Sequence, residues 1–450
     1  MTREQSNPLT LTLQMLRDEG PRAVWNRVLD LREERRRLRG LTELAEKGGR
    51  LSIDFEPPPV LNVSPLPPSP KRGGAQIQML DRLAEEKNLR SVALAYPRNG
   101  IWWLEIWTAS NSGIFRLGSE GSDVDLIERA AGLAGASIIH IENLCGLPLS
   151  LVKDLKDRGL LTVLSIHDFT LFCRKPHLIE RATGEFCEYC QDHRRCERCL
   201  DDIDPERSTG QDEYQRAGAE AYESAKLVIY PSHFLQRQYQ ALFPNLRDSE
   251  MEKVIAPATW RQASLAGRSG GRPRMAFVGG VYLHKGGALI APTMKLVREK
   301  IPEAEGFVYG NGESSLFRRL KRTRGVRIRG YYRRGTLPTL LERDRISVAV
   351  LPSISPEAYS LVVDECLSAG VPVIAFDHGA PADRLANWNV GDLVSPHGGA
   401  EDLSHSIIRS LVSGADISAE VKQSLPRPTS AARRHLDLYQ LVKSESGRTE

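Results

Sequence analysis

Residues 356–377 read PEAYSLVVDECLSAGVPVIAFD, and the fold is decided there. Pro356 and Glu357 read as a loop, and residues 361–369 as a helix entered near Ser360. Residues 371–376 are a short apolar run, which reads as a buried strand. Glu365 stands on the helix, eight positions after Glu357. Free N–H groups at a helix start suit phosphate oxygens. A carboxylate just outside the helix can accept hydrogen bonds from sugar hydroxyls, and one further along can accept them from a ribose diol. The same spacing also fits an ordinary surface helix with two acidic residues.

Outward from this stretch, strand and helix alternate. Residues 275–279, 305–309, 326–328 and 347–351 read as strands, with a helix over 287–300. Residues 262–274, QASLAGRSGGRPR, read as a linker. A first series precedes it. Val60–Val63 reads as a strand and is followed by Gly73-Gly74 and a helical pattern at Ile77, Leu80 and Leu83. Strands at 91–96, 137–141, 161–166 and 226–230 alternate with helices at 123–133 and 149–158, and Ser232 reads as an N-cap. Alternation of this kind argues for parallel sheets covered on both faces. Two such series predict two doubly wound α/β domains facing each other across a cleft, with ligands outside the carboxyl ends of the strands. The expected boundaries are 58–255 for the first domain and 270–420 for the second.

Composition sets limits. The chain has 450 residues, enough for two or three domains. A formal net charge of +4 gives no sign of a nucleic-acid partner. No run of about 18 apolar residues occurs, and the N-terminus lacks a secretory pattern, so a cytoplasmic location is expected. Residues 1–57 read as a helical arm and linker. Val24 and Val28 lie at helical spacing, and Arg32, Arg35, Arg36, Arg37 and Arg39 follow. The arm fits either a helix on the inner face of an anionic membrane or a solvated helix packed on the body. Glu33 and Glu34 interrupt the positive run and favour the second.

The 356–377 segment resembles the donor-site motif of the family-4 retaining glycosyltransferases of GT-B architecture. Glu357, Glu365, Ala369-Gly370 and Pro372-Val373-Ile374 match it in order and spacing. The resemblance implies two facing Rossmann-like domains, with the acceptor on the first and a nucleotide sugar, UDP- or GDP-linked, on the second. By that likeness Glu357 holds sugar hydroxyls, Glu365 holds the ribose, and the amides of Ser360 and Leu361 face the diphosphate. Phe277-Val278-Gly279-Gly280 and Lys285-Gly286 are similar to the family's glycine strand and Lys-Gly pair, which makes Lys285 the cation on the leaving diphosphate. Many members carry arginine where Gly280 stands, so His284 or an arginine from elsewhere would share that task. Gly310 and Gly312 look like the next glycine turn, and Tyr331 stands where the family often meets the base. Gly73-Gly74 resembles the family's N-terminal glycine pair, and His167 the histidine that reaches the transferred sugar. The resemblance also implies retention, no catalytic divalent metal, and a final helix that crosses back to the first domain, here within 425–450. The acceptor would be a carbohydrate or lipid-linked glycan, most often in bacterial surface polysaccharide or lipopolysaccharide synthesis. A non-catalytic, nucleotide-sugar-binding scaffold of the same fold is the alternative. A dinucleotide oxidoreductase should show Gly-x-Gly-x-x-Gly after its first strand, and none stands in that context.

Five of the seven cysteines crowd into an insertion at 173–199. Cys187-x2-Cys190 and Cys196-x2-Cys199 form two knuckles that can close a tetrahedral zinc site, with an iron–sulfur cluster or reduced thiols as the other readings. Cys145 and Cys366 lie in apolar segments and read as buried.

Overall fold

The computed structural model describes residues 8–29, 32, 60–69, 73–109, 112–201, 210–244, 246, 249–258, 273–413 and 417–446. The chain divides into two compact units. The first holds the described residues of 34–176, 190–258 and 426–450; the second holds those of 1–33, 177–189 and 259–425. Most of the 262–274 linker and of the arginine run lies outside the described residues.

The first unit is built on eight strands: β1 (Val60–Val63), β2 (Val92–Arg98), β3 (Ile101–Trp107), β4 (Ser112–Gly118), β5 (Ile138–Ile141), β6 (Leu161–Ser165), β7 (Leu227–Tyr230) and β8 (Glu252–Val254). Their order is β4-β3-β2-β1-β5-β6-β7-β8. β1, β5 and β7 are buried along their whole length, because helices cover both faces of a parallel sheet. Helix Asp123–Ala134 shows how local chemistry sets the boundaries. Ser122 and Asp125 form a capping box, and Gly135 ends the helix at φ 67°. β3 and β4 pair antiparallel beyond β2 and were not expected from the sequence. Asn99 and Gly100, both at positive φ, make the tight turn between β2 and β3, a hairpin signal that stands in the sequence and was passed over. The closing helix Pro428–Ser446 belongs to this unit, where Tyr439 meets His140 and Arg82.

The second unit is built on β9 (Arg274–Val278), β10 (Glu305–Tyr309), β11 (Val326–Gly330), β12 (Val348–Leu351), β13 (Val373–Phe376) and β14 (Asp392–Val394). All pair parallel, in the order β11-β10-β9-β12-β13-β14. Two apolar layers flank the sheet. Met294, Phe317 and Leu403 lie in one; Leu341, Val363 and Leu385 lie in the other. The arm helix Pro8–Glu19 and the helical stretch 21–29 belong to this unit and pack beside β11. No described helix is long and apolar enough to cross a membrane.

The expectation for Cys145 is overturned: it is exposed, whereas Cys366 is buried. β5 ends at Ile141, and Cys145 sits in the following turn, where its N–H donates to Asn143 Oδ1 at 2.5 Å.

Candidate functional site

The strand order of the second unit reverses between β9 and β12, and in such sheets ligands bind at the carboxyl ends beside the reversal. Two loops meet there. The chain after β9 makes a short 3-10 turn, Leu283–Lys285, closed by Gly286 at φ 69°. A Cβ on Gly286 would lie 1.7 Å from the Pro352 carbonyl oxygen, so only glycine lets this turn press against the loop after β12. The contact puts Lys285 Nζ 3.1 Å from Glu357 Oε1. Burial pushes the Glu357 carboxyl up, but the Lys285 ammonium and hydrogen bonds from Lys285, Ser360 and Ser353 outweigh it and hold the group below its ordinary range. Glu357 is therefore an anion at neutral pH. The Ala380 N–H donates to its backbone oxygen at 2.8 Å, which fixes it from β13's side.

Ser360 caps helix Leu361–Ser368 in the left-handed region, at φ 67° and ψ 88°, and its side chain makes no capping bond. Such a backbone is costly for a non-glycine residue and persists only where neighbours over-determine it. The neighbour is Arg384. It donates to the carbonyls of Tyr359 and Ser360 at 3.1 and 3.3 Å, pairs with buried Asp364, and lies over the Tyr359 ring at 4.0 Å. Arg384 and Asp364 were not foreseen from the sequence, because nothing in their local pattern marks them. The backbone of Leu361 opens this helix at the loop that carries Glu357.

Glu365, on the same helix, is 9% exposed. Burial lifts its carboxyl to about 7, against the pull of Arg334 and a hydrogen bond from the Gly335 backbone. Arg334 is thus the cation beside this end of the site. Burial lowers His284 to about 3, with His177 and Lys285 adding to the effect. A neutral imidazole brings no charge of its own to make up for the arginine absent at Gly280.

The glycines separate into two kinds. Gly279 has φ 117° and open space at its Cβ position. At Gly280 a Cβ would meet the Tyr282 ring at 2.5 Å and the Asn311 oxygen at 3.8 Å. Gly310 and Gly312 are demanded by the fold itself: their Cβ atoms would lie 1.8 Å from the Gly279 oxygen and 2.1 Å from the Val281 oxygen. Tyr331 lies under the arm. Its N–H donates to Glu19 Oε2 at 2.9 Å and its carbonyl accepts from Asn26 Nδ2 at 3.2 Å, so both main-chain groups are taken.

In the first unit, Gly73 and Gly74 open helix Gly73–Glu86, and neither would meet anything closer than 4.0 Å at its Cβ. His167 follows β6 and lines a small cavity of about 40 Å³, partly open to solvent, with Arg82, Glu142, Ser165, Tyr230 and His435. Both its ring nitrogens are buried without a hydrogen bond of ordinary geometry. Burial lowers its pKa to about 4, opposed by Asp168 and reinforced by Arg82, so the ring is neutral. Asp168 fixes the loop, accepting from the Thr170 N–H at 2.8 Å. His140 is a packed residue, bonded through its two nitrogens to Tyr439 and Ser165 at 2.6 and 2.8 Å.

The zinc expectation gains no support. No group of three or more His, Cys, Asp or Glu among the described residues is gathered to hold a metal. Cys187 belongs to the second unit, and Cys190, Cys196 and Cys199 to the first. The thiols are engaged singly: Cys190 Sγ donates to the Asp192 oxygen at 3.8 Å, Cys196 Sγ to the Cys190 oxygen at 3.5 Å, and Cys199 Sγ accepts from Lys175 Nζ at 3.8 Å.

Residues 261–423 match the family described as glycosyl transferases group 1. No curated protein is similar to the chain in sequence. Among solved structures, the chain resembles sucrose-phosphate synthase from Thermosynechococcus elongatus at TM-score 0.59 and 15% identity, covering 86% of this chain and 100% of that one. It also resembles Anabaena Alr3699/HepE in complex with UDP and glucose at TM-score 0.57 and 15% identity, covering 85% and 99%. The same Anabaena protein with UDP-glucose aligns at TM-score 0.54 and 15% identity, over 86% and 100%. At this identity the likeness is one of fold: GT-B, with two Rossmann-like α/β units.

Proposed function

We propose that the chain is a retaining glycosyltransferase that moves a sugar from a nucleotide sugar to a carbohydrate or lipid-linked glycan acceptor. The observation that carries this reading is the Lys285–Glu357 pair, held at the strand-order reversal beside a strained helix start. An ammonium next to the helix N-terminus suits a diphosphate that gains charge as it leaves. Glu357, kept anionic, accepts from hydroxyls of the transferred sugar, and the amides of Ser360 and Leu361 face the diphosphate. Glu365 takes the ribose diol. Gly279 and Gly280 leave room for the donor at the end of β9, Gly310 and Gly312 shape the adjoining turn, and Tyr331 lies toward the base with its side chain. Gly73, Gly74 and His167 serve from the first unit, His167 orienting the transferred sugar. Catalysis then rests on positioning and charge stabilisation, with the acceptor attacking on the face from which the diphosphate leaves and no divalent metal taking part. UDP-glucose is the first donor to try, since a fold relative was solved with it; GDP-sugars follow. The acceptor class follows the commonest setting of the family resembled, bacterial surface polysaccharide or lipopolysaccharide assembly on the cytoplasmic side of the membrane.

The test is release of nucleoside diphosphate from UDP- and GDP-sugars, with glycan and lipid extracts as acceptors. Turnover by the wild type and a loss of at least about 100-fold in Glu357→Gln, with nucleotide binding kept, support the transferase. Binding without turnover favours the scaffold reading, which Gly280 in place of arginine also suits. No binding of any nucleotide sugar refutes both.

A further inference from the structure

The insertion contributes a short hairpin to the second unit that neither the motif nor the family match explains. Residues 177–189 belong to that unit although the chain on either side does not. The hairpin closes on itself: Glu180 N–H donates to the Glu185 oxygen at 2.8 Å, Cys187 N–H to the Leu178 oxygen at 2.8 Å, and Ile179 bridges Phe186. Its base is strained, with Leu178, Glu188 and Tyr189 all at positive φ between 53° and 56°. Strain of this kind collects at functional sites.

Two of its rings reach the neighbours of the Lys285–Glu357 pair. His177 stacks on His284, centroids 3.9 Å apart and planes 3° from parallel, and His284 directly precedes Lys285. Phe186 meets His378 edge-on at 6.1 Å, and His378 Nε2 bonds to the Ser353 carbonyl at 2.7 Å. Ser355 ties the two loops together: its hydroxyl donates to the His177 oxygen at 2.7 Å and its N–H to the His284 oxygen at 3.0 Å. Ser353 and Ser355 lie in the loop that carries Glu357.

We infer that hairpin 177–189 forms a wall of the donor-sugar pocket, with His177 and Phe186 as positioning residues that select the hexosyl group rather than the nucleotide. This rests on the donor-site reading above. Aromatic planes beside one carboxylate match the chemistry of a pyranose, whose C–H faces are apolar and whose hydroxyls need only a few placed partners. The burial that keeps His284 neutral supports the stack, since two imidazolium rings would repel at this distance.

The test compares wild type, His177→Ala, His177→Phe and Phe186→Ala. Affinity is measured for UDP alone, UDP-glucose and UDP-N-acetylglucosamine, with GDP and GDP-mannose in parallel, and KM and kcat wherever turnover is seen. A thermal midpoint checks folding. His177→Ala is expected to bind the bare nucleotide within twofold of wild type. It should lose at least tenfold in affinity for the nucleotide sugar and change the preference between the two UDP-sugars by a similar factor. Phe at 177 should restore most of the loss by keeping a stacked plane. Equal losses for nucleotide and nucleotide sugar would show a merely structural hairpin, and unchanged sugar affinity in both alanine variants would also overturn the inference. If the wild type itself binds neither nucleotide nor nucleotide sugar, the donor-site reading fails and takes the inference with it.

Discussion

Replacing Glu365 with Gln should stabilise the protein while weakening donor binding. The carboxyl is 9% exposed, and burial raises it from 4.5 to about 7. The folded state therefore keeps its proton to higher pH than the unfolded chain does. For a group shifted this way, the stability it contributes is present below 4.5 and is lost as pH rises through about 7. At roughly 1.4 kcal/mol per pH unit, the penalty is about 1 kcal/mol at pH 5 and about 3 kcal/mol at pH 8.5. Glutamine has no proton to lose and keeps an acceptor for the Gly335 N–H, so the advantage of the variant should grow by about 2 kcal/mol between these pH values. For a unit of this size that is a further rise in Tm of about 4–8 °C relative to wild type. Glu19 and Glu142, which burial also lifts to about 7, are common to both proteins and cancel in the comparison. UDP affinity should move the other way, falling about 10- to 100-fold at pH 8 through loss of charge-assisted bonds to the ribose. Thermal unfolding from pH 5 to 8.5 with and without UDP reads both effects. A stability gap that stays constant or shrinks with pH would refute the electrostatic account, and unchanged UDP affinity would remove Glu365 from the donor site.

Arg384→Ala leaves buried Asp364 without its cation, although the Tyr359 hydroxyl still donates to it at 2.9 Å, and should cost about 3–5 kcal/mol in denaturant unfolding. An Arg384→Met/Asp364→Leu double variant should regain much of that stability while still losing donor affinity, because Ser360 is no longer held. Gly286→Ala should be poorly folded, or bind no nucleotide sugar, since its Cβ cannot share space with the Pro352 oxygen; wild-type binding in this variant would count against the placement of Lys285. His167→Met should leave the unfolding midpoint unchanged or higher, since two buried nitrogens without a hydrogen bond of ordinary geometry are removed. Turnover should fall by roughly 100-fold, and a stability loss with intact turnover would make His167 a packing residue.

A residue's role is legible in the sequence where its near neighbours along the chain set it. The strands around Val60, Ile139 and Met275 are runs of apolar residues flanked by turns, and parallel strands buried on both faces must read that way. Ser232 as an N-cap is a local matter too: its hydroxyl accepts from the Leu235 N–H at 3.2 Å. Proximity created by folding is not legible in this way. Cys145 lies in an apolar stretch yet faces solvent in a turn. Two Cys-x2-Cys knuckles suggest a metal site, but spacing alone does not say which thiols converge, and no group of three or more such ligands is gathered among the described residues.

The sequence by itself determined the two βα series, the glycine turns that end their strands and the Glu357–Glu365 spacing, because periodicity and backbone freedom act over a few residues. Tertiary structure alone decided that Arg384 locks Ser360, that His177 stacks on His284 across more than a hundred residues of chain, and that the arm takes the main-chain groups of Tyr331. It also decided which carboxylate stays ionised. Glu357 and Glu365 have the same chemistry, but one has an ammonium 3.1 Å away and the other is buried with weaker compensation. Burial and charge pairing belong to the packed state, and no pattern along the chain encodes them directly.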